Sequence, residues 1–206
     1  MNEKLNLGLL SSAMYVAAQV SANVMSTKIV LLPWAALSVD GGTIIYPVTF
    51  TLRDFVHKTW GKKNARQLVI IAAALNLIIA GLFWVVGKLP ADPTWPFQQA
   101  YEQILTPIGR IVIASIIAQV LSELIDTEVF SVVYKKLNDV VAAFTSNFVG
   151  LVVDSIVFSS IAFIGALPFS TVMSIIIANI LIKLVVSIFS APFIRLIPRT
   201  VEFDQI

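Results

Sequence analysis

The sequence has no cysteine and a single histidine, His57. The absence of cysteine excludes disulfides, thiolate metal ligands and cysteine nucleophiles, and one histidine is too few for a histidine metal cluster. The His-Glu-x-x-His, Gly-x-Ser-x-Gly and Walker motifs are also absent, so the sequence gives no sign of metalloprotease, serine hydrolase or nucleotide hydrolase chemistry. We therefore predict a protein that is not an enzyme and that needs no cofactor.

Charge is scarce as well. Of the 206 residues only 13% are charged, the net charge is +2, and 58% are hydrophobic. Soluble domains average about 25% charged and about 45–50% apolar residues. The small, dispersed positive charge argues against a nucleic-acid partner. With a mean hydropathy of +0.90, the apolar excess predicts that the lipid bilayer is the solvent of this chain.

Six apolar segments approach the ~20 residues that a helix needs to cross a bilayer core. They cover residues 7–25, 43–56, 68–87, 108–133, 142–166 and 169–194. Proline and glycine residues between the segments mark the connections. The sequence thus predicts an all-α integral membrane protein with six transmembrane helices in a single transmembrane domain, residues 1–206.

Lysine and arginine are unevenly distributed over the predicted connections. With the N-terminus inside the cell, the inner side receives nine of these residues and the outer side receives three. The inner set is Lys4, Lys58, Lys62, Lys63, Arg66, Lys135, Lys136, Arg195 and Arg199; the outer set is Lys28, Lys88 and Arg110. Because cytoplasmic connections carry the excess of Lys and Arg, we predict that both termini are cytoplasmic.

The two halves of the chain resemble each other weakly at a shift of 100 residues. The shift aligns Gln19 with Gln119 and Asp54 with Asp154. Polar residues are rare in membrane helices, so these two matches carry the interpretation. Three helices in each half would form an inverted repeat, as in many carriers. A three-plus-three repeat and chance similarity of two apolar halves are both open interpretations.

Polar side chains recur at helical spacing inside the predicted membrane segments, so that members of a group share one face. The groups are Tyr15, Gln19 and Asn23; Gln119, Glu123 and Asp126; Asn147 and Asp154; and Asn179, Lys183 and Ser187. Charged groups inside a membrane cost about 2.5–3.5 kcal/mol each and usually face a cavity or a partner. We predict that a substrate-binding cavity is lined by Asn23, Asp54, Gln119, Glu123, Asp126, Asp154 and Lys183.

Each of these residues also has a purely structural interpretation. Amide and hydroxyl side chains often only bond neighbouring helices, Lys183 could simply neutralise Asp154, and Arg53 beside Asp54 could reach the headgroups. The structural interpretation is harder for Glu123 and Asp126, which lie one helical turn apart. Two neighbouring carboxylates repel each other and prefer a shared proton or an external cation, which favours a position facing the cavity.

Several motifs, in this order and spacing, resemble the queuosine precursor transporter family, also called the putative vitamin uptake transporter family. The resemblance runs from about the first predicted helix to the end of the sixth. The motifs are Tyr46-Pro47-Val48-Thr49-Phe50 with Arg53-Asp54, Gly61-Lys62-Lys63-Asn64-Ala65-Arg66, Arg110-Ile111-Val112-Ile113-Ala114-Ser115, Asp126-Thr127-Glu128-Val129-Phe130, and Asp154-Ser155-Ile156-Val157-Phe158.

The resemblance implies a six-helix importer in the bacterial inner membrane. Its substrates would be queuosine precursors, which are purine-like bases of the 7-deazaguanine type used in transfer RNA modification. Two positions depart from the family pattern. Glu123 stands where an amide is usual, and Leu151 stands where an amide often precedes the aspartate. If these positions touch substrate, this member would prefer a different base or a cationic precursor.

Three functional hypotheses follow. The first is a stand-alone carrier, with a small purine-like base and the lipid bilayer as its partners. The second is a substrate-binding membrane subunit of an ATP-driven vitamin uptake system, which would differ in needing an ATPase module for transport. The third is an enzymatic or structural role, against which the missing catalytic motifs and the buried charges argue. A homodimer remains open.

Overall fold

The computed structural model describes residues 7–134 and 139–196. These residues form mainly α-helices together with one short β-hairpin. The helices are α1 (Leu7–Met25), α2 (Tyr46–Trp60), α3 (Lys62–Lys88), α4 (Gln98–Leu105), α5 (Ile108–Tyr134), α6 (Asp139–Phe163) and α7 (Phe169–Leu196). The strands are β1 (Ile29–Leu32) and β2 (Leu37–Asp40). The prediction of an all-α chain therefore needs a correction for this hairpin.

Four stretches of the described chain are long and apolar enough to cross a membrane: Lys63–Lys88, Gln98–Ile125, Thr145–Phe163 and Phe169–Val186. Helix α1 has 19 residues, but its serines, Gln19 and Asn23 dilute its apolar character. Helix α2 has 15 residues and is about 22 Å long at 1.5 Å per residue, less than the ~30 Å hydrocarbon core. Four spans are therefore supported directly, and six spans remain a prediction.

The boundaries differ from the predicted segments in three places. The second predicted segment starts at residue 43, but Gly41–Ile44 form a 3-10 turn and α2 begins only at Tyr46. The fifth ends earlier than predicted, at Phe163, and the chain then turns at Gly165 with a φ of +84°, a conformation that favours glycine. The connection after α3 contains α4, which hydropathy alone did not reveal because its residues are mostly polar.

The hairpin fills the space between α1 and α2 in the sequence. Its strands pair in an antiparallel register that sets Ile29 opposite Asp40 and Leu32 opposite Leu37. Strand β2 packs on α7, and the backbone N–H of Ser38 donates to Ser174 Oγ at 2.7 Å. The hairpin thus holds the end of β2, and with it the buried Asp40, against α7.

Three apolar clusters hold the described helices together, and the smallest joins α3 and α5 through Ala80, Ile108 and Val112. The other two are larger. One joins α5, α6 and α7 through residues such as Ile111, Phe163 and Ile175. The other joins α1, α2 and α3 through residues such as Tyr15, Val56 and Leu68. Large apolar side chains also point outward along the long helices, including Ile70, Ile78, Leu82, Val85, Ile113, Val120, Leu124, Ile177, Leu181 and Val185. Exposed apolar faces of this extent are typical of helices that contact lipid.

The order of the long helices bears on the predicted repeat. Helices α1, α2 and α3 precede residue 100, and α5, α6 and α7 follow it. The hairpin breaks the correspondence, because α1 and α2 are separated by 20 residues whereas only residues 135–138 lie between α5 and α6. The inverted repeat and the cytoplasmic termini both remain predictions.

Candidate functional site

A cavity lies between α1, the hairpin end, α2, α5, α6 and α7, and we call it the central cavity. Its empty volume is about 350 Å³, including its open side, and its enclosed part is wide enough for about one water molecule. The lining residues are Ala22, Asn23, Ser26, Asp40, Gly42, Thr43, Tyr46, Ser115, Asp154, Phe158, Asn179 and Lys183. Three of the seven predicted site residues, Asn23, Asp154 and Lys183, therefore line one cavity.

The central cavity contains a buried ion pair. Lys183 Nζ on α7 donates to Asp154 Oδ2 on α6, and the two side chains are only 6% and 11% exposed. The Lys183 ammonium also lies 5.1 Å from the ring centroid of Tyr46, within cation–π range. The described residues donate no hydrogen bond to Asp154 Oδ1, so this oxygen retains acceptor capacity.

A second polar cluster, which we call the Asp40 cluster, comprises Asp40, Ser26, Thr43 and Asn179. Ser26 Oγ lies 2.6 Å from Asp40 Oδ1. Asp40 Oδ2 lies 2.8 Å from Thr43 Oγ1 and 3.0 Å from Asn179 Nδ2. Thr43 Oγ1 is also 2.6 Å from Asn179 Oδ1. All four side chains are buried, and Asp40 is 1% exposed, so the cluster lies away from bulk solvent.

Asn23 connects the central cavity to a neighbouring second cavity of about 260 Å³. Its Nδ2 donates to Asn76 Oδ1 at 2.7 Å, and Asn76 Nδ2 donates to the carbonyl of Ala72 at 2.8 Å. Among the described residues nothing donates to Asn23 Oδ1. The second cavity is lined by Tyr15, Gln19, Asn23, Val69, Ala72, Ala73, Asn76, Val112, Ser115, Ile116 and Gln119.

Glu123 lies beside the second cavity and outside the residues that line the central one. Gln119, which lines the second cavity, donates from Nε2 to Glu123 Oε1 at 3.3 Å. Glu123 Oε1 also lies 3.7 Å from Arg53 Nη1, and the side chain of Glu123 is 60% exposed. Arg53 therefore lies within ion-pair distance of Glu123, and the interpretation that Arg53 reaches the headgroups stays a prediction.

Two predicted site residues fall outside the part of the chain whose side chains are described. Asp54 lies on α2 and Asp126 lies on α5, but the described contacts include neither side chain. Their predicted roles stay predictions. The expected repulsion between Glu123 and Asp126 is therefore also open.

Sequence reasoning missed the Asp40 cluster for an identifiable reason. Asp40 lies between the first two predicted helices, in a predicted connection, where a single aspartate gives no sign of burial. Asn179 shares a predicted helix face with Lys183, but an amide there is also explained by a hydrogen bond to a neighbouring helix. A usable signal was present in Leu37-Ser38-Val39-Asp40, which alternates apolar and polar residues as a half-buried strand does, and which runs directly into Gly41-Gly42.

The arrangement offers several open donors and acceptors around one space. Asp154 Oδ1 and Asn23 Oδ1 can accept hydrogen bonds, and Lys183 has N–H groups beyond the one that Asp154 takes. The rings of Tyr46 and Phe158 supply flat apolar surface at the same cavity. The described residues contain no cluster of three His, Cys, Asp or Glu side chains that could hold a metal ion. The cavity is suited to a small, flat, polar molecule.

A polar cavity with a buried ion pair, enclosed by helices with lipid-facing apolar surfaces, is typical of a membrane transporter. A family model described as "putative vitamin uptake transporter" matches residues 40–197. The chain belongs to this family of membrane transporters. No curated protein and no solved structure matches the chain.

Proposed function

We propose that this protein is a stand-alone importer of purine-like bases in the bacterial inner membrane. Its substrates would be queuosine precursors of the 7-deazaguanine type, destined for transfer RNA modification. The observation that carries the proposal is the set of open hydrogen-bonding groups and aromatic rings in the central cavity. The resemblance of the sequence motifs to queuosine precursor transporters supports the same substrate class.

The chemistry of a guanine-like edge fits this set of groups. Such an edge presents a ring N–H and an exocyclic amine side by side, together with a carbonyl acceptor. Asp154 Oδ1 and Asn23 Oδ1 can accept the two donors, and a free N–H of Lys183 can serve the carbonyl. An unsatisfied buried polar group costs about 1–3 kcal/mol, so a base lacking one of these groups would be bound less tightly.

The remaining residues of the proposed site take positions around this core. The rings of Tyr46 and Phe158 would lie against the faces of a flat base. Gln119 and Glu123 would meet the base along the second cavity, which shares Asn23 with the central one. Because the enclosed space is narrow, binding requires the lining helices to move apart, as repeats do when carriers rock between their two open states.

The test is transport by the purified chain alone. In liposomes that contain no ATPase subunit, we expect preloaded unlabelled 7-deazaguanine base to drive counterflow of labelled base. Vitamins of other chemistry serve as competitors, and only purine-like compounds should compete. A thermal-shift screen of the same compounds gives an independent readout, because a ligand of the folded state raises the melting temperature.

Two results would overturn the proposal. Uptake that appears only when an ATPase module is added would favour the alternative, a substrate-binding membrane subunit of an ATP-driven vitamin uptake system. In the second result, a vitamin without a guanine-like edge would raise the melting temperature and compete with the labelled base. That result would be consistent with a transporter but would contradict the proposed substrate.

A further inference from the structure

In the Asp40 cluster, the hydroxyl and amide groups supply fewer hydrogen atoms than the close polar contacts need. Three of its contacts form a closed ring: Asp40 Oδ2 to Thr43 Oγ1 at 2.8 Å, Thr43 Oγ1 to Asn179 Oδ1 at 2.6 Å, and Asn179 Nδ2 to Asp40 Oδ2 at 3.0 Å. All three distances are in the hydrogen-bond range. With an ionised Asp40, the ring has one hydroxyl hydrogen from Thr43 and one amide hydrogen from Asn179, so one contact has none.

Exchanging the amide oxygen and nitrogen of Asn179 does not remove the deficit. The amide nitrogen would then donate to Thr43, and Thr43 would donate to Asp40. The amide oxygen would instead face Asp40 Oδ2 at 3.0 Å, which sets two acceptors against each other. In both orientations the ring lacks one hydrogen, and a proton on Asp40 supplies it.

The charges around Asp40 point in the same direction. The described residues that line the central cavity include two carboxylates, Asp40 and Asp154, and one ammonium, that of Lys183, which is already paired with Asp154. Tyr46 is the other titratable group in this lining, and Lys28, next to β1, is exposed. An ionised Asp40 would leave one uncompensated buried negative charge, which is costly.

We propose that Asp40 is the proton-binding residue through which this protein couples import to a proton gradient. The inference rests on the proposed function, since it supplies the driving force of the same carrier. A metal ion is the competing occupant, but a cation of calcium size takes about 6–8 oxygen ligands, several of them from carboxylates. The Asp40 cluster contains a single carboxylate, that of Asp40.

The position of the cluster links the proton to the substrate groups. Asn179 lies four residues before Lys183 on α7, so the two side chains share one helix face. When Asp40 releases its proton, the ring loses a hydrogen bond between the hairpin end and α7, and the cavity gains a negative charge. The lost hydrogen bond weakens the contact between the hairpin end and α7, and the new charge acts on the Lys183–Asp154 pair in the same cavity.

The decisive variant is Asp40→Asn, whose amide brings its own hydrogens and no titratable group. In liposomes with an inward proton gradient, we expect wild type to accumulate base about tenfold per pH unit at a stoichiometry of one proton per base, since about 1.4 kcal/mol corresponds to a tenfold ratio. Asp40→Asn should not accumulate base above equilibrium, and whatever counterflow it retains should not depend on pH.

Asp92→Asn is the matched control, because it makes the same chemical change at an exposed position. Hydrogen bonds from the Thr94 side chain and backbone hold the pKa of Asp92 below its ordinary value, so Asp92 stays ionised across the assay range. This control should accumulate base as wild type does. Accumulation that follows a sodium gradient and ignores pH, or pH-driven accumulation by Asp40→Asn, would overturn the proposal.

An infrared measurement separates this inference from the proposed substrate. The protonated carboxyl of Asp40 should give a carboxylic-acid carbonyl band in wild type at neutral pH, with no substrate added. The band should be missing in Asp40→Asn and present in Asp92→Asn. Its presence without any transport of purine-like bases would refute the proposed function alone, and its absence in wild type would refute the proton site alone.

Discussion

At the scale of single residues, the buried charges of the central cavity are arranged so that Lys183 serves one carboxylate and not the other. Lys183 is bonded to Asp154, whereas Asp40 is surrounded by hydroxyl and amide groups. A buried pair is weak support for stability, because desolvation offsets much of the attraction. A role in substrate binding stays a prediction for this pair, and variants of the two residues distinguish it from a purely structural role.

The first prediction concerns this pair. Asp154→Asn or Lys183→Met alone should destabilise the protein by about 3–5 kcal/mol, because each leaves an unpaired buried charge. The double variant removes both charges and should recover most of that loss. Thermal unfolding in detergent measures the recovery, and counterflow measures transport. We expect the double variant to fold and fail to transport; wild-type uptake by a well-folded double variant would remove both residues from the site.

The second prediction concerns Glu123, whose carboxylate lies beside the second cavity. Glu123→Gln should leave folding nearly unchanged, because the half-exposed pair with Arg53 contributes less than about 1 kcal/mol. It should lower uptake of a cationic aminomethyl base relative to a neutral one. We expect a shift below about tenfold, since solvent screens a charge this exposed. If the uptake ratio of the two bases is the same as in wild type, Glu123 does not sense the charge of the substrate.

At the scale of elements, the turn after the hairpin determines where Asp40 lies. A Cβ on Gly42 would fall 2.1 Å from Ser26 Oγ and 2.4 Å from the carbonyl oxygen of Ala22, and a Cβ on Gly41 would fall 2.6 Å from the carbonyl oxygen of Met25. The close approach of this turn to the end of α1 therefore depends on glycine. It brings the end of β2 within hydrogen-bonding distance of Ser26.

The third prediction tests this close approach. Gly42→Ala should destabilise the protein by about 1–3 kcal/mol, the usual cost of overpacking, and should disturb the Asp40 cluster first. Gly81→Ala is the matched control, because a Cβ at Gly81 meets nothing within 4 Å and alanine favours the helix by about 1 kcal/mol. Melting temperatures should move in opposite directions. Equal melting temperatures for the two variants would show that the turn has room for a side chain.

The elements also show how far the sequence could predict the fold and the site. Long apolar runs predicted the helices well, and helical spacing correctly grouped polar residues such as Asn179 and Lys183 on one face of α7. The hairpin was missed because four-residue strands give a weak pattern. Asp40 was missed with it, since its burial depends on the packing of β2 against α7, a contact between residues 136 or more positions apart that local patterns do not encode.

At the scale of the whole molecule, the described chain combines a polar interior with a lipid-facing exterior. The exposed apolar side chains lie on the long helices, and the charged pairs lie between helices. Arg110 on α5 donates to the carbonyl oxygens of Ile161 and Ile164 at 2.6 Å each, which satisfies the carbonyl end of α6. Arg110 therefore has a structural role besides any effect of its charge on orientation.

The final prediction is the orientation of the whole chain in the membrane. Basic residues are retained on the cytoplasmic side during insertion, and the connections at residues 58–66 and 135–138 carry six of them, at Lys58, Lys62, Lys63, Arg66, Lys135 and Lys136. Reporter fusions should therefore place both connections and both termini in the cytoplasm, and fusions at residues 88–97 should lie outside. This pattern needs α1 and α2 to cross the membrane despite their weak hydropathy, so it also tests the six spans. A periplasmic signal from residues 58–66 would refute the orientation. A cytoplasmic signal from both residues 28–36 and residues 58–66 would show that α2 does not cross.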